Sequence, residues 1–324
     1  MKTKARRTLR PALLLALLLL LLILLSAQAA AESCRRALSV CARLIIPSLF
    51  PFFVLSSLLN ALGLPGLLGR LLAPAAMRLY GISGAGASAL PMGLCGGYPA
   101  GAAYIAELET SGAVTPREAE RLLAFCNNSG PAFLVGAIGC GVFHSVKAGL
   151  LLYTCHILAA LLTGLIFRDS QSTAEIPPVF LDTTDPAAAL SDAIRKSVQA
   201  ILNVCGFVVF FSVLLSVVEN LGVLSWAVGA LSRLLGAAPE LTRPMLVGFL
   251  ELGSGVAAME GLPLSPAALS LAAFLTGWGG LAVYFQTRAL LTNCKAKGAL
   301  HVAGHLFSAG IGATFAYFLG ELLL

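Results

Sequence analysis

The sequence predicts an all-α, polytopic membrane protein with two inverted repeats that contain re-entrant or interrupted helices. Of its 324 residues, 58% are hydrophobic and only 11% are charged, whereas roughly a quarter of the residues of a soluble protein are charged. Long apolar segments recur along the chain, and Gly- and Pro-rich stretches interrupt others. Such breaks survive at membrane depth only where protein or a water-filled cavity satisfies the freed backbone groups.

The apolar segments are close to the ~20 residues that a helix needs to cross hydrocarbon. The first, Pro11–Ala31, follows the basic residues of Lys2–Arg10, so we expect a retained transmembrane helix over 1–31 with its N-terminus inside. A signal peptide ending near Ala27-Gln28-Ala29 is the alternative. Later segments of this kind are Leu44–Gly63, Val146–Phe167, Val198–Val218 and His301–Leu319.

The two halves of the chain resemble one another. Leu94-Cys95-Gly96-Gly97 is matched by Leu252-Gly253-Ser254-Gly255, and Thr115-Pro116 is matched by Ser265-Pro266. The second pair of matches predicts helix starts, since each has a hydroxyl N-cap followed by Pro, and Glu118 is expected to complete a capping box with Thr115. The predicted units are an N-terminal helix (1–31), a first repeat (32–168), a linker (169–190) and a second repeat (191–324).

Each repeat is predicted to contain a crossing, an amphipathic helix, a re-entrant hairpin, a broken crossing and a final crossing. Three crossings are an odd number, so the second repeat is inverted relative to the first. Most of the 21 Lys and Arg residues then fall on the inner side of the membrane, as the positive-inside rule requires.

Several other classes of protein are not indicated. The net charge of +6 comes from basic residues near the N-terminus and between apolar segments, which fits membrane orientation better than nucleic-acid binding. The eight cysteines form no C-x-x-C, and His301 and His305 share a helix face but lack a third ligand at a motif distance. We therefore predict no enzyme, no catalytic residue, no metal, no cofactor and no nucleic-acid partner.

Polar groups at the breaks predict a solute site. Asn127-Asn128-Ser129-Gly130-Pro131 interrupts an apolar stretch, and Glu251 lies within another; such groups are costly in hydrocarbon without partners. Paired breaks in inverted repeats indicate a midplane site. Close helix packing through small residues is the alternative for the glycines, and a structural hydrogen bond is the alternative for Glu251. The predicted solute-binding residues are Asn127, Asn128, Ser129, Glu251, Ser254 and Gln286, and the predicted hairpin and backbone positions are Gly96, Gly97, Gly130, Gly253, Gly255 and Gly279.

Three stretches carry a resemblance to a known family. Pro47-Ser48-Leu49-Phe50-Pro51-Phe52, Gly97-Tyr98-Pro99-Ala100-Gly101 and Asn127–Pro131 together resemble the YlbJ-type sporulation integral membrane proteins, over roughly Leu44 to the C-terminus. This resemblance implies nucleoside-recognition, or gate-type, repeats, which are similar to parts of concentrative nucleoside transporters and of ferrous iron transport proteins. It also implies a spore-forming bacterium.

The expected function is recognition or transport of a small polar, nucleoside-like solute across a membrane during sporulation. The alternative is a non-transporting membrane scaffold needed for spore formation. A water-accessible cavity between the breaks would favour transport, and a dry, packed centre would favour the scaffold. The expected partners are the lipid bilayer and a small polar solute, with a homo-oligomer left open. The expected location is multi-pass in the cell membrane, including a forespore or mother-cell membrane.

Overall fold

The N-terminal part of the chain forms two consecutive helices. The computed structural model describes residues 2–169 and 185–323. Helix α1 (Lys2–Leu25) ends at a turn at Ser26, and α2 (Ala27–Ala61) follows directly, with a π-helical turn at Cys41–Ile45. The first helix therefore ends before Ala31, and the next crossing begins well before the apolar segment that predicted it.

The early start of α2 has a local cause. Glu32 pairs with Arg35 at 2.8 Å and with Arg36 at 3.4 Å, in the i,i+3 and i,i+4 positions that support a helix. These charged residues extend the helix toward the N-terminus but do not lengthen the apolar segment. A search for apolar length alone therefore misses the start of α2.

Both halves then show the same series of elements, and the predicted fold class is confirmed. In the first half these are α2, α3 (Leu64–Tyr80), the hairpin of α4 (Gly84–Ala87), α5 (Ala89–Gly96) and α6 (Ala100–Thr110), the broken crossing of α7 (Pro116–Phe125) and the π-helical α8 (Ala132–Val142), and α9 (Val146–Ile166). In the second half they are α10 (Pro186–Asn220), α11 (Val223–Leu235), the hairpin of α12 (Pro239–Leu250) and α13 (Leu252–Ala257), the broken crossing of α14 (Pro266–Trp278) and α15 (Gly280–Leu290), and α16 (Ala299–Leu323).

The correspondence extends to lengths and turns. Helices α2 and α10 are each 35 residues long. Each leads through a glycine with positive φ, Gly63 (80°) or Gly222 (71°), into the amphipathic helix that follows. A residue with a side chain is strained at such a φ, so both turns favour glycine.

Several helices are suited to a bilayer. Within residues 2–169 and 185–323, five helical segments are long and apolar enough to cross a membrane: α2, α9, α10, α14 with α15, and α16. The apolar part of α1, Leu13–Leu25, and α8 are shorter apolar helices. The protein is therefore a multi-pass membrane protein.

The predicted linker, 169–190, falls mostly outside the described residues, which omit 170–184. Its last part is helical, because α10 begins at Pro186. The side chain of Asp185 accepts hydrogen bonds from Ala187 N (3.4 Å) and Ala188 N (3.3 Å). A carboxylate N-cap followed by Pro is a favourable helix start.

The two predicted helix starts form as expected, with one difference. Thr115 Oγ1 accepts from Glu118 N at 3.2 Å, and Ser265 Oγ accepts from Ala268 N at 3.3 Å. The Glu118 carboxylate does not close a capping box. It accepts instead from Ser83 N at 2.5 Å, an amide at the start of the first hairpin that has no intrahelical partner. Glu118 thus ties the broken crossing to the hairpin.

Candidate solute site between the interrupted helices

A cavity lies where the hairpin tips and the helix breaks of the two halves meet. It holds about 60 Å³ of space, enough for a few water molecules. We call it the central cavity. Its polar or backbone lining comes from Gly96, Gly97, Tyr98, Ser129, Gly130, Glu251, Gly253 and Gln286, and its apolar lining includes Ile45, Leu49, Phe53, Phe133, Leu252, Val204, Val208 and Val283.

Glu251 caps the short helix of the second hairpin. Its carboxylate accepts from Gly253 N at 2.8 Å and from Ser254 N at 2.5 Å, and its side chain is buried. Free amides at a helix N-terminus stabilise a negative charge. Each carboxylate oxygen keeps a further lone pair, so Glu251 can cap its helix and accept a hydrogen bond from a solute.

Ser129 is held by both halves of the molecule. Its hydroxyl donates to Thr276 O at 3.2 Å, and its backbone N–H donates to His156 Nε2 at 3.1 Å. The structure therefore brings Ser129, Glu251 and Gln286 to one cavity, although they are far apart in sequence. Their role as solute ligands stays a prediction.

The two asparagines lie behind the cavity wall. Asn127 is 0% exposed; its Oδ1 accepts from Ala102 N and its Nδ2 donates to Thr287 Oγ1, both at 3.1 Å. Asn128 Nδ2 donates to Phe125 O at 2.7 Å. Neither lines the central cavity. Asn127 Oδ1 and Asn128 Nδ2 thus satisfy backbone groups at helix ends that have no helical partner, Ala102 N and Phe125 O.

Ser254 also points elsewhere. Its hydroxyl is 2.8 Å from that of Ser212 on α10, so it joins the second hairpin to a long crossing helix.

The second break occurs at Gly279, whose φ is +81°. It leaves carbonyl groups of α14 without helical partners. Tyr98 Oη donates to Thr276 O at 3.0 Å, and His305 Nδ1 lies 3.3 Å from Trp278 O. The Tyr98 hydroxyl is also 3.3 Å from His305 Nδ1. Tyr98 therefore connects the first hairpin tip to the second break.

Sequence reasoning did not select Tyr98, Thr276 or Thr287 for the site. Tyr98 had a usable signal, since a phenol between two helix breakers in an apolar segment needs a hydrogen-bond partner. The two threonines gave no local signal. Their partners lie across the repeat interface, where Tyr98 and Ser129 meet the Thr276 carbonyl and Asn127 meets the Thr287 hydroxyl.

The six predicted glycines fall into three groups. One of the six, Gly279, forms the second helix break described above. Gly96, Gly97, Gly130 and Gly253 line the cavity. Gly255 does not; a Cβ there would lie 2.2 Å from the Cα of Gly248, so it allows two backbones of the second hairpin to touch. This is the close-packing role that small residues have in membrane helices.

Histidine side chains near the site form hydrogen bonds within the protein. His301 Nδ1 lies 3.4 Å from Leu123 O, and His305 and His156 have the contacts given above. Among the described residues, no group of three or more His, Cys, Asp or Glu side chains is placed to hold a metal ion.

Comparisons with known proteins show which family this chain is similar to. Residues 42–165 match the Gate family model, described as nucleoside recognition. The chain is 34% identical over 293 residues to the sporulation integral membrane protein YlbJ of Bacillus subtilis (strain 168), a match that covers 82% of this chain and 71% of that protein. The chain belongs to the YlbJ family. The Gate match lies within the first half, from the π-helical turn of α2 to α9.

Solved structures show that this YlbJ-family chain has the fold of concentrative nucleoside transporters. CNTnw in an inward-facing, substrate-bound state gives a TM-score of 0.57 at 15% identity, covering 98% of this chain and 87% of that chain. A CNTnw variant in an intermediate state gives 0.63 at 15% identity, covering 98% and 86%. A variant in an outward-facing state gives 0.62 at 14% identity, covering 99% and 85%.

Proposed function

We propose that this protein recognises a small, uncharged polar solute of the nucleoside type and moves it across a membrane during sporulation. The observation that carries the proposal is the central cavity, which lies between the interrupted helices of both halves. Interrupted helices that meet at mid-membrane are the usual place for a transporter to hold its solute.

The chemistry of the lining favours this class of solute. Glu251 accepts hydrogen bonds, while the Gln286 amide and the Ser129 hydroxyl both donate and accept. Sugar hydroxyl groups and base amides supply the matching partners. Phe53 and Phe133 give the cavity an apolar wall that suits a flat ring. None of the described residues that line the cavity is basic, so the described lining does not favour an anion.

The small size of the central cavity means that the protein must change conformation to bind a nucleoside. Space for a few water molecules is too small for a nucleoside, so binding requires the hairpin tips to separate. The related fold of CNTnw has been solved in inward-facing, intermediate and outward-facing states. The existence of these three states supports the proposal that the hairpin tips of this fold can separate.

Uptake by purified protein in proteoliposomes tests the proposal, with radiolabelled uridine, adenosine and guanosine as probes. Glu251→Gln should reduce uptake of the transported nucleoside by about tenfold or more, because it replaces an acceptor oxygen by an NH2 donor, and a buried polar group left without its partner costs ~1–3 kcal/mol. Glu260→Gln is the matched control, since Glu260 is an exposed acid just past the same hairpin.

Two results would contradict the proposal. One is the absence of uptake of every nucleoside by well-folded wild-type protein. The other is undiminished uptake by Glu251→Gln. Sporulation by cells that carry the same variants separates transport from the scaffold alternative. If the Glu251→Gln variant is present in the membrane at the normal level and has lost uptake, but the cells still give a normal spore yield, the scaffold alternative is favoured.

A further inference from the structure

A second, larger cavity lies beside the central one. It holds about 340 Å³ between α2, the first hairpin and α10. Phe53 and Gly96 line both cavities. At its other end it reaches Asn60 and Leu290, near the ends of α2 and α15. We call it the polar cleft.

Two membrane helices turn their polar residues toward this cleft. On α10 they are Lys196, Gln199 and Asn203, at i, i+3 and i+7; on α2 they are Ser56 and Asn60, at i and i+4. Each set lies on one helix face. Polar side chains within a membrane span almost always face the protein interior or a water-filled space. The neighbouring face of α10 is apolar, where Leu202 is 60% exposed.

The charges in the cleft are balanced. Of the residues in 2–169 and 185–323 that line it, Glu107 is acidic and Lys196 is basic. Lys196 also pairs with Asp192 at 2.8 Å. The remaining polar groups are hydroxyls and amides. A cleft lined by one sign of charge concentrates ions of the other sign. This cleft carries one charge of each sign, so its lining does not select for a charged solute.

We propose that the polar cleft is a water-filled vestibule that holds an uncharged, hydroxyl- or amide-rich solute next to the central cavity, and that the Phe53 ring is the barrier between the two. The identity of the solute rests on the function proposed above. The water content of the cleft and the barrier role of Phe53 do not, so they are tested without any solute.

The first test measures water access by cysteine labelling. Single cysteines replace Gln199, Asn203 or Leu202 in a background without the eight native cysteines. Membrane vesicles of both orientations receive an impermeant methanethiosulfonate. Gln199→Cys and Asn203→Cys should react from the face on which Lys295→Cys reacts. Leu202→Cys, exposed to lipid, should react at least tenfold more slowly. Equal rates at all three helix positions, or reaction from the opposite face, would overturn the vestibule.

The second test concerns the barrier. Val208 lines the central cavity, so Val208→Cys reports access past Phe53. Phe53→Ala should raise its labelling rate from the vestibule face at least fivefold, and Phe53→Leu, which is the milder change, should raise it less. Phe52→Ala is the control, because Phe52 is 45% exposed on the same helix. An unchanged rate in both Phe53 variants, each with normal elution on size exclusion, would overturn the barrier.

The third test concerns charge. The rates of a cationic and an anionic methanethiosulfonate at Asn203→Cys are compared with their rates on a small free thiol. The normalised ratio should stay below about tenfold, the lower bound expected for a cleft of a single charge sign. Lys196→Met should shift the ratio toward the cationic reagent. A ratio above tenfold in the parent would overturn the assignment of an uncharged solute.

Discussion

The helix breaks of the two halves occupy corresponding positions in the order of elements. They differ in the hydrogen-bonding groups that they bring to the interface between the halves. From the first half, Tyr98, Asn127 and Ser129 donate hydrogen bonds across the interface. From the second half, the Thr276 carbonyl and the Thr287 hydroxyl accept them. The two halves share an order of elements but are not interchangeable at the centre. In these three hydrogen bonds the first half supplies the donor side chains and the second half supplies the acceptors, whereas in a fourth contact His301 Nδ1 of the second half donates to Leu123 O of the first.

The hairpin tips differ in the same way. The first tip, Gly97-Tyr98-Pro99, is uncharged, while the second contains the carboxylate of Glu251. Both tips line the central cavity. A solute between them therefore meets an acceptor-rich wall on the side of the second half. This difference is the reason to expect that changes at equivalent positions of the two halves have unequal effects.

The largest expected effect comes from the second hairpin. Gly255→Val would place a branched side chain where a Cβ already lies 2.2 Å from the Cα of Gly248. Backbone atoms cannot move aside as side chains do, so the cost should exceed the ~1–3 kcal/mol of ordinary overpacking. We expect little monodisperse protein on size exclusion. Gly229→Val is the control, since a Cβ there has nothing within 4 Å. Equal recovery of both variants would refute the close approach.

A smaller effect is expected between the two asparagines of the first break. Asn127→Ala leaves Ala102 N and Thr287 Oγ1 without their partner, and unsatisfied buried groups cost ~1–3 kcal/mol each. Asn128→Ala removes one local hydrogen bond to Phe125 O. The midpoint of thermal unfolding in detergent should therefore fall further for Asn127→Ala.

A double-mutant cycle sharpens this comparison. Asn127→Ala, Thr287→Val and the double variant should show a coupling of ~0.5–3 kcal/mol, as contacting residues do. Asn128→Ala with Thr287→Val should be additive within about 0.5 kcal/mol. Additivity in the first cycle would mean that Asn127 does not join the two halves.

Local signals were enough to predict much of this fold. Apolar length predicted the long apolar helices α2, α9, α10 and α16, and hydroxyl–proline pairs predicted the starts of α7 and α14, where Thr115 and Ser265 cap the helices. Helix breakers predicted both interruptions. Each of these signals acts within about one helical turn, so the sequence displays it directly.

The parts that could not be predicted depend on distant contacts. Nothing in the sequence near Glu118 shows that its carboxylate reaches Ser83 instead of completing its own cap. Asn127 and Asn128 have the same chemistry and adjacent positions, yet one joins the halves and the other bonds locally. Which polar side chains face the cavity depends on how the breaks pack, and periodicity cannot supply this for interrupted helices.

The smallest expected effect concerns the loop between α15 and α16. Glu109 of the first half accepts from Lys295 N at 2.7 Å and from Ala296 N at 3.1 Å, which holds the loop while the Lys295 side chain stays exposed. In intact cells, Lys295→Cys should be shielded from an impermeant thiol reagent, and Arg233→Cys, on the other side by charge bias, should be labelled. The reverse pattern would overturn the orientation.

The neighbouring native thiol provides an internal comparison in the same loop. Burial, with a smaller contribution from the Glu109 carboxylate, raises the pKa of Cys294. Because the thiolate is the reactive form, a raised pKa leaves less of it at neutral pH. In inside-out vesicles, Cys294 should therefore react more slowly than Lys295→Cys. Its rate should keep rising by about tenfold per pH unit to a higher pH than for a thiol of ordinary pKa. Glu109→Gln removes the charge and the strong acceptor, so the loop should loosen and Cys294 should react faster. An unchanged Cys294 rate in Glu109→Gln would show that this carboxylate does not hold the loop of the second half.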